Sequence, residues 1–262
     1  MIQLHLLHCP LSPLTDDLEA DLFNRYLDEK EKARYRASNI ANSRLQLLIS
    51  RWLIKQHMHE LTGLPVNQFH FHYSDNGKPF LSPELAPELA PDPETGNGAE
   101  VPTQFSLAHC NTSVCVAISN SAVGVDVENR KRNGKPWEII GDIFNAKVAQ
   151  RMATLTLEEE HKAFFFTYWT AMESMVKMKG SKVALERKQF ALDFAIPHNA
   201  SYLSTPEHHF YFANVNEHEL VAITCAKPAS QAQIFTFAIT EQGITKQTLA
   251  TPEPWLSPSV SA

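Results

Sequence analysis

Long apolar runs are missing from this chain: no stretch approaches the ~18 apolar residues that read as a membrane-spanning helix. The opening segment MIQLHLLHCPLSPL has no basic leader and only a short apolar run, so it is expected to be a first strand and not a secretory signal. Cysteine is scarce. The four residues, Cys9, Cys110, Cys115 and Cys225, include no C-x-x-C pair. A chain of 262 residues buries a sizeable core without covalent staples, so these four read as reduced thiols of a cytoplasmic protein. A basic surplus is lacking too. Lys+Arg 23 against Asp+Glu 29 leaves a net charge of −6, which argues against a protein that holds nucleic acid along its length. Any phosphate site must therefore be a local basic pocket. The sequence has no G-x-S-x-G, no G-x-G-x-x-G and no Walker lysine loop.

What is present is ordinary globular composition, with 44% apolar and 20% charged residues, which excludes wholesale disorder, collagen and a pure coiled coil. Periodicity predicts strands over 2–8, 69–73, 104–109, 113–119, 122–128, 190–195, 208–214, 218–225 and 233–240. Helices are predicted over 15–24, 28–37, 42–61, 136–150 and 157–179, the first opened by Thr15 and the fourth beginning near Pro136. SDNGKPF (74–80) reads as a tight turn. The segment 82–103, rich in proline with a PELA duplication, reads as an exposed insertion.

Residues 105–119 (FSLAHCNTSVCVAIS) and 210–224 (FYFANVNEHELVAIT) align without a gap at an offset of 105 residues. Phe, Ala, Asn, Val, Ala and Ile recur, and both copies read as a hairpin following a helix. The expected fold is α+β, a pseudo-dimer of two similar halves, 1–122 and 123–245, followed by a disordered tail, 246–262. A ligand cleft is expected at the seam.

Three groups of residues could do chemistry. In VGVDVE (123–128), Val123, Val125 and Val127 face one side of a strand, and Gly124, Asp126 and Glu128 the other. Two carboxylates two residues apart stand roughly 7 Å from one another on the same face, a spacing that suits one hard divalent cation. Gly124 beside them is expected to leave room for a ligand. Trp169, Glu173 and Lys177 recur every four residues, one stripe of a helix. Glu173, one turn from an apolar Trp, is expected to be half-buried and to need a partner. Lys78 sits at the tip of a turn, and His109 follows a strand. The pairs His57/His59 and His70/His72 lack a third ligand, so zinc is not expected.

These pieces come in a fixed order: GKP (77–79), F-x-x-x-H (105–109), VGVDVE (123–128) and W-x-x-x-E-x-x-x-K (169–177). The ordered set resembles the 4′-phosphopantetheinyl transferases of the Sfp type. The resemblance implies a pseudo-dimer with its site at the seam. It also implies transfer of the phosphopantetheine arm of coenzyme A to a serine of an apo acyl or peptidyl carrier protein, releasing adenosine 3′,5′-bisphosphate. By the same resemblance, Asp126, Glu128 and Glu173 would hold Mg2+ or Mn2+, and Lys177 a pyrophosphate oxygen. His109 and Arg44 would face the 3′-phosphate, with Ala108 offering its backbone N–H. Lys78 and Pro79 would line the adenosine, and Lys32 would add a further cation. Glu173, or a water it orients, would be the base. A monomer follows because the seam is internal, and neither nucleic acid nor membrane is implied as a partner. The family's lysine before the helix glutamate is Met172 here. That difference motivates the alternative, a relative that binds coenzyme A or a carrier without turnover.

Overall fold

Alternate residues of β1 (Gln3–Pro10) divide between two cores, Leu4 and Leu6 on one face, Leu7 and Cys9 on the other. That division organises the whole molecule, whose computed structural model describes residues 2–82, 85, 101–131, 133–192 and 201–251. Thr15 caps α1 (Asp16–Tyr26) by accepting the Leu18 N–H. Asp28 and Glu31 form a reciprocal capping box on α2 (Glu29–Ala37). α3 (Ala41–Thr62) stops at Gly63, whose φ of 75° is the left-handed conformation that suits glycine. A hairpin of β2 (Phe71–Tyr73) and β3 (Pro79–Leu81) follows. β4 (Gln104–His109), β5 (Ser113–Ser119) and β6 (Val123–Asn129) come next, each within a residue of the predicted bounds.

The predicted helix over 136–150 is three pieces: a 3-10 turn (Pro136–Ile139), α4 (Ile140–Ile143) and α5 (Ala146–Ala153). Asn145 breaks it, because its side chain accepts the Lys147 and Val148 N–H groups and so starts a new helix. Long α6 (Glu158–Lys179) is followed by the short α7 (Val183–Glu186). The predicted strand over 190–195 is not one at 190–192, and 193–195 lie outside the described residues. The Tyr168 hydroxyl takes the backbone groups a ladder would use, donating to Phe190 O and accepting from Leu192 N.

The last strands are β7 (Tyr202–Ser204), β8 (His209–Asn214), β9 (Glu219–Cys225), β10 (Gln231–Thr240) and β11 (Gly243–Leu249). Residues 246–249, expected in a disordered tail, pair with β10 instead. The tail beyond 251 and most of the expected 82–103 insertion lie outside the described residues.

The architecture is mixed α+β. One sheet runs β11-β10-β1-β5-β4, with β1 parallel to β10, and the other runs β6-β9-β8-β7. α3 covers the outer face of the first, packing Leu48 and Leu53 into a core with Val116, Ile118 and Phe235. α6 covers the second, with Met172 and Met175 against Phe210, Phe212 and Ala222. A third core joins the inner faces through Leu6, Ala117, Val125, Ile223 and Ile234. The two hairpins of the expected repeat differ by one residue in register. Phe105 stands opposite Ile118, whereas Phe210 stands opposite Thr224 and not Ile223, so the six identities do not superpose as one ungapped block. Among the described residues, no helix is long and apolar enough to cross a membrane.

Candidate active site

β6 owes its place to Gly124. A Cβ built there would overlap the backbone of Ser174 and Met178, so α6 can lie directly on the strand only where a side chain is missing. The glycine thus makes room for the helix, not for a ligand as its position suggested. One strand repeat further on, the helix and strand bring their charges together. Lys177 Nζ lies 2.6 Å from Asp126 Oδ1 and 3.9 Å from Glu173 Oε2. Asp126 is buried, 5% exposed, and its Oδ2 has no hydrogen-bond partner among the described residues. Burial alone would lower the pKa of Lys177, but the charge and hydrogen bond of Asp126, with Glu173 and Glu128 behind it, outweigh burial and raise it.

β4 delivers the next residues. Ser106 Oγ accepts the Val125 N–H at 3.1 Å and so ties β4 to β6. Ala108 is buried, and His109 reaches the surface at the strand's end. Partial desolvation and then the charge of Lys177 lower the His109 pKa. The structure brings Ala108, His109, Asp126, Glu128, Glu173 and Lys177 to one cavity of about 980 Å³, which Pro79 also lines. The sequence reading missed Thr112, Asn129 and Lys131, which line the same space. Their only sequence signal was position, at the end of β6 and in the polar turns that follow β4 and β6.

Three predicted cations stand outside that lining. Lys78 donates to Met178 O at 3.0 Å and Val123 O at 3.4 Å, and Asn76 donates to Gly180 O at 2.8 Å. The GKP turn therefore clamps the end of α6 onto β6. Burial lowers the pKa of Lys78. Arg44 donates to Ser38 O at 2.9 Å and lines a neighbouring cavity of about 470 Å³, which shares Asn111 with the first. Lys32 pairs with Glu29 at 3.0 Å on α2. Met172 is fully buried among apolar residues on the sheet side of α6. It packs the core, so its identity does not mark a missing cation in the cavity.

Donor chemistry and the unpartnered Asp126 oxygen fit a hard divalent cation. The three expected ligands are not gathered around one point, however. Among the described residues no group of three His, Cys, Asp or Glu is arranged to hold a metal, and the Lys177 ammonium sits against Asp126 as the counter-charge.

Residues 122–236, from just before β6 into β10, match the family model described as the 4′-phosphopantetheinyl transferase superfamily. The chain is 26% identical over 183 residues to the 4′-phosphopantetheinyl transferase psf-1 of Bacillus pumilus, a match that spans 69% of this chain and 68% of that protein. It is 23% identical over 165 residues to the 4′-phosphopantetheinyl transferase gsp of Aneurinibacillus migulanus, spanning 63% and 60%. The class that these similarities and the charged cavity define is a transferase. What the chain is similar to, over these residues, is the 4′-phosphopantetheinyl transferases.

Proposed function

We propose that this chain moves the 4′-phosphopantetheine arm of coenzyme A onto a serine of an apo acyl or peptidyl carrier protein, with Mg2+ or Mn2+, and releases adenosine 3′,5′-bisphosphate. One observation carries the reading: two acids from β6, an acid and a cation from α6 and a histidine from β4 line a single cavity. Its volume of about 980 Å³ is in the range of small-molecule sites.

Asp126, Glu128 and Glu173 would hold the divalent ion, which when bound offsets the charge of the pyrophosphate. Lys177, a cation between two carboxylates, holds a pyrophosphate oxygen. His109 faces the 3′-phosphate with the Ala108 N–H, and Arg44 approaches from the adjoining cavity. Pro79 borders the adenosine on the turn that Lys78 clamps, while Lys32 lies furthest out. The carrier serine oxygen bonds to the phosphorus bearing pantetheine, and its proton passes to Glu173 or to a water that Glu173 orients. The bond from that phosphorus to the adenosine bisphosphate oxygen breaks with its electron pair. The displacement is in line, so positioning and fixed charge supply most of the rate.

The same reading divides the chain into halves at 122/123 with the site at their seam. It also takes the protein as a monomer, and four free cysteines support a reducing, cytoplasmic setting. The test is intact-mass spectrometry of an apo carrier protein incubated with this protein, coenzyme A and Mg2+, with EDTA as control. A metal-dependent gain of one phosphopantetheine arm on the carrier serine is expected. No gain on any of several acyl and peptidyl carriers, with the protein folded, would rule the transfer out.

A further inference from the structure

The turn that follows His109 forms one wall of the cavity, through Cys110, Asn111 and Thr112. The turn closes on itself where the Cys110 N–H donates to Ser113 O at 3.0 Å, and α3 holds its backbone through Gln46, which donates to Cys110 O at 2.9 Å. Its side chains are held by a buried carboxylate on the other sheet. Glu219 opens β9 and is 2% exposed. Its Oε1 accepts from the Thr112 hydroxyl and lies 3.6 Å from Cys110 Sγ. Its Oε2 meets His8 Nε2 of β1 at 2.9 Å and the Asn216 side-chain amide at 2.8 Å. Thr112 in turn accepts from Asn129 Nδ2 at 3.0 Å, at the end of the strand that carries Asp126 and Glu128. Thr112 O also accepts the Leu11 N–H at 2.8 Å.

A carboxylate is costly to bury unless its oxygens are satisfied, and this one is satisfied on both. Burial alone would raise its pKa, but the hydrogen bonds from His8 and Thr112 prevail and hold it down at about 2. Glu219 is therefore ionised throughout the neutral range. Charged hydrogen bonds are the strong ones, so the anchor is stiff. It joins β1, the β4–β5 turn, β6 and the β8–β9 turn at one point.

We infer that Glu219 is a positioning residue: through Thr112 it fixes the Cys110–Thr112 wall against β6 and thereby sets how tightly the cavity grips coenzyme A. This rests on the proposed transferase reading. It makes Glu219 act on the nucleotide and not on the carrier.

The test compares Glu219→Ala, Thr112→Val and the double variant in steady-state transfer, with coenzyme A binding measured separately by calorimetry. Losing a hydrogen bond to a charged group should raise KM and Kd for coenzyme A about tenfold in either single variant. KM for the carrier should stay within about twofold, a split that a loss of folded protein would not produce. The double variant should be no worse than the weaker single, because both remove one link. An unchanged KM for coenzyme A in folded Glu219→Ala, or single effects that multiply, would overturn the inference. Should Glu219→Ala fail to fold, Thr112→Val at the exposed turn reads the same bond. Should the wild type bind no coenzyme A, the functional reading fails. Hydrogen exchange at the Asn111–Ser113 amides then still decides: faster exchange in Glu219→Gln supports the anchor, and no change refutes it.

Discussion

The two longest helices, α3 and α6, both have 22 residues and each covers one sheet, yet they spend their buried charges differently. On α3 most polar groups pair within the protein, and the one buried atom left without a partner, His57 Nδ1, lines no described cavity. Arg51 pairs with Glu31 of α2 and donates to the Tyr73 hydroxyl at 2.8 Å. Lys55 lies over the Phe71 ring, and His57 meets His5 at 2.8 Å. On α6, Glu173 and Lys177 face a cavity, and Asp126, the carboxylate that Lys177 meets, keeps one buried oxygen unpartnered. Closed networks of this kind rigidify a core. An unpartnered buried oxygen beside a cavity instead awaits a ligand. On the proposed reading α3 serves structure and α6 chemistry, although both carry buried or half-buried charges.

Four changes would break or sharpen that contrast, beginning with the largest. Glu173→Gln should lower transfer about a hundredfold or more, the size of a lost general base, with thermal unfolding near wild type. Near-wild-type turnover would move the base elsewhere. Met172→Lys places a charge inside the apolar packing of α6. It should cost about 3 kcal/mol of stability in denaturant unfolding and bring no gain in turnover; faster transfer by a stable variant would show that this side chain reaches the cavity. Gly124→Ala forces α6 off β6 and should cost about 2 kcal/mol, with transfer falling alongside. Unchanged stability and activity would mean that the close approach is dispensable.

The last prediction concerns the closed side. Burial lowers the pKa of His5 to about 4 and that of His57 to about 3, from 6.5. The unfolded chain therefore binds more protons between those values. Stability should be complete above about pH 6.5 and should fall as the pH drops towards 4, by up to about 1.4 kcal/mol per pH unit for each group. Urea unfolding of His57→Leu against wild type across pH 4–7 should show a flatter profile for the variant. Parallel profiles would mean that the pair is not the source of acid sensitivity.

Much of this was legible in the sequence because local rules and tertiary placement agree. Strict alternation in VGVDVE put the valines on one face and the acids on the other; the valines lie in a core and the acids line the cavity. The four-residue spacing of Glu173 and Lys177 put both at the cavity. Other features needed the third dimension. Met172 differs from Glu173 by one position, and only the helix's rotation on the sheet sends one to the core and the other to the cavity. Gly124 looked like space for a ligand because its helix neighbour lies fifty residues on in the chain. Lys78 was expected to line the adenosine, and its hold on the carbonyls of α6 and β6 joins residues far apart in the chain. Glu219 gave no sign at all, since two of its partners, His8 and Thr112, lie far off in the chain.

The most direct measurement is intact-mass analysis of carrier modification by Asp126→Asn beside wild type, with coenzyme A and Mg2+, and with coenzyme A binding monitored in parallel. The open charge cluster of β6 and α6 predicts a metal-dependent mass gain with the wild type and its near-complete loss in the folded variant. Wild-type modification by Asp126→Asn would contradict it and place the transfer chemistry outside this cavity.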